Sequence, residues 1–380
     1  MKNKFVDEII KSQAVYAALR RNTHAHPEQD YEKKITSDMV VEKLDAWGYD
    51  IYRGLAKTGV VGTLKVGKGK KRLGLRAGLD ASTASPTGGF CDQGHDGHGS
   101  ILLCAAEYLA KSQDFDGTLH VIFQPTEELL NGTREMIDDG LFTLFPCDRI
   151  YALHNMPGLK TGEFYFRKGI FMASSDTVTI DIEGFGGLAI LPEKTIDAGI
   201  IACYCAIALQ SIVARNVSPQ DAAVVTIDSI HSGSTPDVIC GYATLNVIVR
   251  TLNPEVRKRV LKRITALVQS QAESFGARAM ISHMSNKPIL INGHEATELA
   301  LQTAREMFGE NKVHENIPQT MDSEDFAFML EEHPDGCYFL VGNDNEPDCH
   351  RLYKPEYIFN EDIIVPSAAY WCALTEAYLK

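Results

Sequence analysis

A glycine-rich segment and the end of a later apolar stretch carry residues that could bind a metal ion. The segment "FCDQGHDGHGSILL" contains His95 and His98, and its glycines predict a loop at this point. A third histidine, His154, closes the apolar stretch "DRIYALHNMP". Imidazole nitrogen is a common ligand for Zn, Mn and Co ions. Asp96 could orient one of these ligands through a hydrogen bond.

An acidic pair, Glu127 and Glu128, follows the apolar stretch "VIFQP". Neighbouring side chains at a strand end point to different sides, so one carboxylate can bind a metal while the other acts as general base. The pair could equally be a solvated start of a helix, where the helix dipole favours Glu. The combination of His95, Glu128 and His154 indicates a Zn, Mn or Co site more strongly than any member alone.

The elements around these residues predict how they are positioned. Strand-like stretches such as "KRLGLRAGLD" and "GTLHVIFQP" alternate with the helix-like "SILLCAAEYLAKSQ", which favours an α/β layer architecture. Sites in open α/β sheets lie at the carboxyl ends of the strands. Because Asp80, Glu127, Glu128 and His154 lie at or just after such ends, we expect them to converge there.

The middle of the chain has a different pattern. "SSDTVTIDIEG" and "GYATLNVIVRTLN" alternate apolar and polar residues, and the helix-like "PEVRKRVLKRITALVQSQAESFG" follows them. We therefore predict an α/β domain with a central mixed sheet flanked by helices. It would be formed by residues 1–177 and 289–380 and interrupted by an inserted α+β domain at 178–288.

Composition excludes several classes of partner. The chain has 380 residues and a net charge of -13, which disfavours nucleic acid and anionic membrane surfaces. Its nine cysteines are odd in number and show no disulfide-module spacing. We find no signal peptide, no apolar run of membrane-spanning length and no nucleotide-binding fingerprint. These features predict a cytoplasmic protein that acts on a small molecule.

With these residues in place, the chain resembles the M20 metallopeptidase family over nearly its whole length. The likeness is in particular to its aminoacylase, hippurate hydrolase and auxin-conjugate amidohydrolase branch. The segments that carry the resemblance are "LRRNTHAHPEQDYEK", "TGVVGTLKVG", "LGLRAGLDA", "GHDGH", "FQPTEE", "ALHNMPGLKTGEF", "GFGG", "NVIVRTLNP", "MDSEDFAFML" and "GCYFLVGN".

The resemblance implies a catalytic domain with an inserted lid or dimerisation domain, and hydrolysis of an N-acyl amino acid amide by two metal ions. It implies that Glu127 is the general base, that Glu128, His95 and His154 are metal ligands, and that Asp80 braces a ligand.

The resemblance also concerns the insert. Arg250 is a candidate for binding a substrate carboxylate, because a guanidinium group can form two parallel hydrogen bonds to a carboxylate. The family likeness implies a homodimer formed through the insert. The apolar stretch 196–213 fits that implication, but a buried helix within the domain explains it equally well.

The sequence departs from the family pattern at metal positions. Gln93 stands where the family has a metal-binding Cys, although Cys91 is two residues away. Tyr353 stands where the family has its last His ligand, with His350 nearby but shifted in register. Gly78 replaces an Asp. Since Gln and Tyr are poor substitutes for Cys and His, we expect weaker metal binding than the family pattern implies.

Further departures fall in the insert. Leu188 replaces a His that would polarise the scissile carbonyl, and Glu193 replaces another His. Asp237 replaces an Asn, and Cys240 replaces a Pro. The residues that we predict to contact the substrate are Arg250, Asp237 and Tyr353.

Three functions remain open on the sequence, and we rank them in this order. The first is an amidohydrolase with an incomplete site that holds one Zn, Mn or Co ion through His95, Glu128 and His154. The second is a repurposed enzyme without metal on the same fold, and the third is a non-catalytic small-molecule-binding homologue. Acid–base chemistry in the second would use Glu127, Asp80, Tyr353 and Asp237.

Overall fold

We describe the fold from a computed structural model of the chain. The residues described are 4–26, 28, 34–79, 83–84, 90–91, 94–125, 132–233, 235–332, 335–344 and 357–380. The chain forms two compact units, each with its own hydrophobic core. The first unit comprises Met1–Gly169, Ile291–Pro318 and Phe328–Lys380, and the second comprises Ile170–Leu290 and Gln319–Ala327.

The helices and strands follow one another in three stretches. The first stretch contains α1 (Lys4–Ile9), α2 (Gln13–Ala25), α3 (Lys34–Ala46), β1 (Asp50–Leu55), β2 (Gly59–Val66), β3 (Arg72–Gly78), β4 (Thr83–Ala84), β5 (Phe90–Cys91), α4 (His95–Ser112), β6 (Gly117–Gln124), α5 (Gly132–Asp138), α6 (Leu141–Leu144), β7 (Arg149–Met156) and β8 (Phe164–Tyr165). The second contains β9 (Gly169–Met172), β10 (Ser174–Glu183), β11 (Gly187–Leu188), α7 (Ala198–Asn216), β12 (Ala223–Ser232), β13 (Val238–Ile239), β14 (Tyr242–Thr251), α8 (Pro254–Ser274) and β15 (Arg278–Lys287). The third contains β16 (Leu290–Asn292), α9 (His294–Phe308), β17 (Val313–His314), α10 (Phe326–Glu332), β18 (Gly336–Gly342) and α11 (Ile364–Leu379).

An eight-stranded mixed sheet forms the centre of the first unit, in the order β1-β2-β6-β3-β7-β18-β8-β17. Strands β6, β3, β7 and β18 run parallel to one another, whereas β1 and β2 join by antiparallel pairing. Parallel strands are covered on both faces and therefore carry nearly continuous apolar sequences. β18, "GCYFLVG", is buried at every residue. The predicted α/β class with a central mixed sheet and flanking helices is confirmed.

The second unit is built around an antiparallel sheet in the order β12-β14-β10-β15. In β10, Val178, Ile180 and Ile182 are buried while the residues between them are only half-buried, which is the alternation that the sequence showed. Helices α7 and α8 supply the other side of this core. Asn253 caps α8, because its Oδ1 accepts a hydrogen bond from Glu255 N (2.9 Å).

The boundaries of the second unit lie a few residues outside the stretch 178–288. This unit also takes in Gln319–Ala327, which the sequence pattern did not assign to it. Backbone hydrogen bonds join this short segment to the start of the unit, from Ala173 N to Asp322 O (2.8 Å) and from Thr320 N to Phe171 O (3.1 Å). Such pairing depends on contacts across about 150 residues of chain, which a local pattern does not record.

Helix α7 corrects the expectation that the chain has no apolar run of membrane-spanning length. Its 19 residues, with a mean hydropathy of 1.6, are long and apolar enough to cross a membrane by length and composition alone. The core helix of a globular domain passes the same test. In α7, Ile201, Cys205, Leu209 and Ile212 are buried in the core of the second unit, which accounts for one apolar face of the helix.

Candidate metal centre

The "GHDGH" segment forms the start of a helix, and the prediction of a loop at His95–His98 was wrong. Gly94 precedes α4 in a left-handed conformation (φ 82°), and His95 is the first helical residue. His95 and His98 are three positions apart on this helix, so their side chains lie on the same face. The helix therefore fixes the relative positions of the two imidazoles before any other element contributes.

His95, His98 and His154 form a compact group, here called the histidine cluster. One ligating nitrogen from each lies within 4.8 Å of the others. The ring centroids are 4.6 Å apart for His98 and His154, 5.3 Å for His95 and His98, and 5.4 Å for His95 and His154. All three side chains are buried, with at most 5% of each residue exposed. Three imidazoles at this spacing suit a catalytic metal site that keeps a further position open.

Strand β7 positions His154 in the cluster, and Asn155 follows it on the same strand. The parallel pairing with β18 places His154 opposite Leu340. His154 Nδ1 lies 2.6 Å from Asn155 O, and His98 Nε2 lies 2.6 Å from Asn155 Oδ1. Asn155 is fully buried, and its Nδ2 donates a short hydrogen bond to the Tyr357 hydroxyl. Both oxygens of Asn155 therefore contact a histidine of the cluster.

Gly94 allows the start of α4 to pack closely against β7 and the C-terminal segment. A Cβ atom on Gly94 would lie 2.6 Å from Asn155 Oδ1, 2.8 Å from Phe359 Cδ2 and 2.9 Å from the Tyr357 hydroxyl. Its positive φ also disfavours any other residue. The glycine is therefore required both by the backbone conformation and by the lack of space.

The sequence suggested that Asp96 could orient a metal ligand, but in the structure Asp96 does not brace a histidine of the cluster. Its buried carboxylate lies 2.9 Å from Arg20 Nε and 3.2 Å from His24 Nδ1, both of which lie on α2. Its Oδ1 also accepts a hydrogen bond from Gly97 N (2.7 Å). A buried charge needs a partner of opposite charge to remain ionised. Asp96 therefore ties α2 to the first turn of α4.

Four predicted site residues lie outside the described residues, namely Asp80, Glu127, Glu128 and Tyr353. Gln93 and His350 lie there too. The strands that lead to the first three can be placed. β3 ends at Gly78 and β6 ends at Gln124, and Leu79 N donates a hydrogen bond to Gln124 O (2.7 Å).

Arg250 and Asp237, the other two predicted substrate contacts, belong to the second unit. Arg250 lies on β14, where its Nη1 donates to Met321 O (2.8 Å) and contacts Ser323 Oγ (3.4 Å). Asp237 is exposed, with a φ of 61°, and its backbone oxygen accepts a hydrogen bond from Ala189 N (2.9 Å). Arg250 thus has protein partners of its own, and Asp237 lies in a turn ahead of β13.

A small cavity of about 10 Å³ lies beside His95 within the first unit. Parts of α2, α3, the end of β3 and α4 line it. Its walls are largely apolar with a few hydroxyl groups, but its volume is far below the roughly 300–1,000 Å³ of usual small-molecule sites. The residues that line it on the helices include Leu19, Thr23, Thr36, Met39, Val40, Ser100 and Leu103.

The sequence did not single out Asn155 or Tyr357, although both contact the cluster or its support. For Asn155 there was a signal, because it directly follows a predicted ligand at the end of an apolar strand. An amide there must find hydrogen-bond partners once it is buried. Tyr357 gave no such signal, because its partner Asn155 is 202 residues away along the chain.

Comparison with known proteins gives a consistent result. The sequence model of peptidase family M20/M25/M40 matches residues 84–377. The hippurate hydrolase of Campylobacter jejuni is 38% identical to this chain over 385 residues, which cover 99% of each protein. The N-acetyl-L-cysteine deacetylase of Bacillus subtilis is 32% identical over 363 residues, covering 92% of this chain and 85% of that protein.

A solved structure supports the fold. The structure of a dinuclear metal-binding peptidase of the M20 family from Bacillus subtilis superimposes with a TM-score of 0.79 at 23% sequence identity. The match covers 97% of this chain and 98% of that one. The likeness in fold therefore extends over nearly the whole of both chains.

Proposed function

Because this chain belongs to peptidase family M20/M25/M40, we propose that it is a metal-dependent amidohydrolase that cleaves the amide bond of an N-acyl amino acid. The observation that carries the proposal is the buried histidine cluster at the end of β7 and the start of α4. It occurs in a chain that aligns from end to end with a hippurate hydrolase. The fold alone would not identify the reaction, since function depends on the site.

The residues present fit a divalent metal ion. The cluster offers imidazole nitrogens only, which suit borderline ions such as Zn, Mn or Co. The sequence adds Glu128 as an oxygen ligand, while Gln93 and Tyr353 replace donors of the family pattern. We therefore propose a site for one ion, held by His95, His154 and Glu128.

The chain's own groups would divide the chemistry as follows. A bound divalent ion supplies Lewis-acid polarisation and lowers the pKa of water. The buried cluster keeps His95 and His154 in place without reorganisation, because helix α4 and strand β7 fix their backbones. Glu127 would take a proton from the attacking water and deliver it to the leaving amine nitrogen. Asp80 would brace a ligand, and the proposed substrate contacts are Arg250, Asp237 and Tyr353.

The substrate that we propose has an acyl group and a free amino acid carboxylate. A cationic side chain such as Arg250 is suited to the carboxylate. The names of the relatives, hippurate hydrolase and N-acetyl-L-cysteine deacetylase, describe substrates of this general kind.

We also propose a homodimer formed through the second unit, in the cytoplasm. Ile200, Tyr204 and Ile207 of α7 are exposed and lie at positions i, i+4 and i+7, so that they form one apolar face. A second copy of this chain would cover that face. None of the seven cysteines described in the structure forms a disulfide, which is compatible with a reducing compartment.

The test is metal analysis combined with hydrolysis of a substrate panel. We expect protein purified without chelator to contain about one Zn, Mn or Co ion per chain and to cleave N-benzoyl and N-acetyl amino acids. Blocking the amino acid carboxylate as an amide should raise KM. His154→Ala should remove the ion and lower kcat/KM more than about 100-fold.

His120→Gln is the matched control, because His120 is equally buried in the first unit but lies outside the cluster. It should retain both metal and activity. Absence of metal after incubation with excess ions, together with turnover that resists chelators, would favour the metal-free enzyme instead. Ligand binding without any turnover would favour the non-catalytic homologue.

A further inference from the structure

Helix α8 of the second unit concentrates positive charge in a chain whose net charge is -13. Between Glu255 and Glu273 it has no acidic residue, while the segment "RKRVLKR" at 257–263 contains five basic ones. Val260 and Ile264 are buried in the core of the unit. Because they fix which side of the helix faces the core, the basic residues on the other sides of α8 are presented to solvent.

One of the five basic residues is used within the unit itself. Arg257 Nε donates to Asp176 Oδ2 (2.8 Å) and Arg257 Nη2 donates to Asp176 Oδ1 (2.6 Å). Asp176 is fully buried, so its carboxylate needs this charged partner. Arg257 therefore has a structural role, and the role of the other four remains to be explained.

Three of those four side chains are free at the surface. Lys258, Arg259 and Lys262 are exposed. Glu255 lies one turn before Lys258 and Arg259, yet it forms no ion pair with either of them. Within the described part of the chain, none of the three cations is paired with a carboxylate.

The end of helix α7 adds to this positive surface. Arg263 Nε donates to Asn216 Oδ1 (3.3 Å), which places the last turn of α7 beside α8. Arg215, directly before Asn216, is exposed. We define the basic patch as the cations that these two helices present together, namely Arg215, Lys258, Arg259, Lys262 and Arg263.

The basic patch breaks the charge rules of an isolated helix. Lys258 and Lys262 are four residues apart, as are Arg259 and Arg263, so like charges lie one turn above each other. Such pairs destabilise a helix. Sequences break local rules of this kind chiefly at functional sites. A ligand that supplies the missing negative charge explains the arrangement better than folding does.

We propose that the basic patch binds an acidic segment of a partner protein, rich in Asp and Glu. The patch lies on the convex surface of two helices, whereas small ligands bind in concave sites. Carboxylates four residues apart on an acidic helix have the same spacing as Lys258 and Lys262, so each can pair with one cation.

The charge of the whole chain favours a short protein segment over larger polyanions. A nucleic acid or an anionic membrane extends beyond the patch and brings its charges within about 8–10 Å of other acidic surface, where repulsion is not screened. A short acidic segment contacts the patch alone. Its attraction to the five cations is therefore not offset by the remaining negative charge of the chain.

The test is binding of a fluorescein-labelled oligoglutamate peptide to the full chain, followed by fluorescence anisotropy. We expect saturable binding by the parent at about 50 mM salt, and an affinity at least about 10-fold lower at about 200 mM salt, because salt screens exposed charges. Absence of binding by the parent at the lower salt concentration would overturn the proposal.

A matched pair of charge-reversal variants locates the binding. Lys258→Glu combined with Lys262→Glu should weaken binding at least about 10-fold, since two attractions become repulsions. Lys65→Glu combined with Lys70→Glu changes the net charge equally at exposed positions of the first unit, and it should bind like the parent. Equal losses in both double variants would show that only net charge matters, which would overturn the patch.

A second measurement separates binding from a structural role. Lys262→Glu alone replaces repulsion from Lys258 by attraction, so this variant should unfold at a temperature no lower than the parent while it loses affinity for the peptide. A lower unfolding temperature would indicate that Lys262 serves the fold instead. Hydrolysis of N-acyl amino acids should be unchanged in all these variants.

The remaining outcomes concern the partner and the proposed function. Tighter binding of duplex DNA or of phosphatidylserine vesicles than of oligoglutamate, lost on reversal of Lys258 and Lys262, would overturn the choice of a protein segment. A parent that binds the peptide but hydrolyses no N-acyl amino acid would support the patch and overturn the proposed enzyme. Hydrolysis without peptide binding would overturn the patch alone.

Discussion

At the scale of single residues, Gly94 shows how closely the site is packed. Its φ of 82° and the nearby Asn155, Phe359 and Tyr357 atoms leave no room for a side chain. Two of these residues, Asn155 and Tyr357, also support the histidine cluster. A change at Gly94 should therefore act on metal binding as well as on folding.

We expect Gly94→Ala to lower the free energy of unfolding by more than the about 1–2 kcal/mol that a left-handed backbone costs an L-residue. The added methyl must also displace Asn155 Oδ1, so Zn affinity should fall about 10–100-fold. Denaturant titration and competitive metal titration measure the two effects. Gly48→Ala is a suitable control, because Gly48 has the same φ of 82° but no atom within 4 Å of the position that a Cβ would take. Equal losses in the two variants would contradict the steric argument.

The sequence predicted the ligand types at this scale but not their supports. His95 and His154 were identified because histidine at a strand end or in a glycine-rich segment is unusual enough to notice. Asn155 and Tyr357 were not, because a hydrogen bond between residues 202 positions apart leaves no local pattern. The same holds for the pairing of Asp96 with Arg20. Long-range polar partners become visible only when the chain is folded.

At the scale of elements, the glycines led to the prediction of a loop for residues 95–99, where the structure has a helix. Gly97 and Gly99 favour a loop on propensity, since glycine is unfavourable within a helix. In the structure both lie in α4. A Cβ on Gly97 would overlap the Phe359 ring, and one on Gly99 would lie 3.4 Å from Gly78 O. Tertiary packing therefore explains Gly97, whereas a side chain at Gly99 would make only an ordinary contact. In both cases the tertiary structure outweighs the local preference. The alternating strands and the capped helix α8 were predictable because period and caps are local signals.

Helix α7 shows two apolar faces, of which only one is covered by its own unit. The exposed face carries Ile200, Tyr204 and Ile207, with Ile207 exposed to 71%. Exposed apolar faces of this kind are typical of protein–protein interfaces. The proposed homodimer would bury it.

Ile207→Asp should therefore weaken the homodimer at least about 30-fold, since a charge would replace a central apolar contact. The monomer should remain as stable as the parent, because Ile207 makes little contact within its own unit. Sedimentation over a concentration series measures the dissociation constant. Lys258→Asp, an exposed change on α8, should leave association unchanged. A parent protein that is monomeric at all concentrations would refute the dimer.

At the scale of the whole molecule, each unit has its own core, so each can respond separately to solution conditions. His120 is a buried titratable group in the first unit. Burial, assisted by the charge of Arg72, lowers the pKa of His120 to about 4. Its Nδ1 lies 2.9 Å from Thr63 Oγ1 on the neighbouring strand β2.

In the unfolded chain His120 should titrate near its ordinary pKa of about 6.5. Between about pH 6.5 and 4 the unfolded state therefore binds a proton that the folded state excludes, so stability falls as the pH falls. At pH 4 the titration of His120 should have lowered the free energy of unfolding by about 3 kcal/mol. His120→Gln should remove that part of the pH dependence for the first unit, as followed by denaturant unfolding at several pH values. His231→Gln, at an exposed site in the second unit, should leave the pH dependence of the first unit unchanged.

The position of β18 in the central sheet has a consequence for how the chain is made. β18 (Gly336–Gly342) pairs with β7 on one side and β8 on the other, although β7 and β8 follow each other directly in sequence. On the ribosome, about 170 residues must be translated between β8 and the strand that fills this gap. Until then the nascent chain presents unpaired strand edges, which are templates for aggregation. Prematurely terminated chains that end before β18 should therefore be insoluble clients of the chaperone machinery.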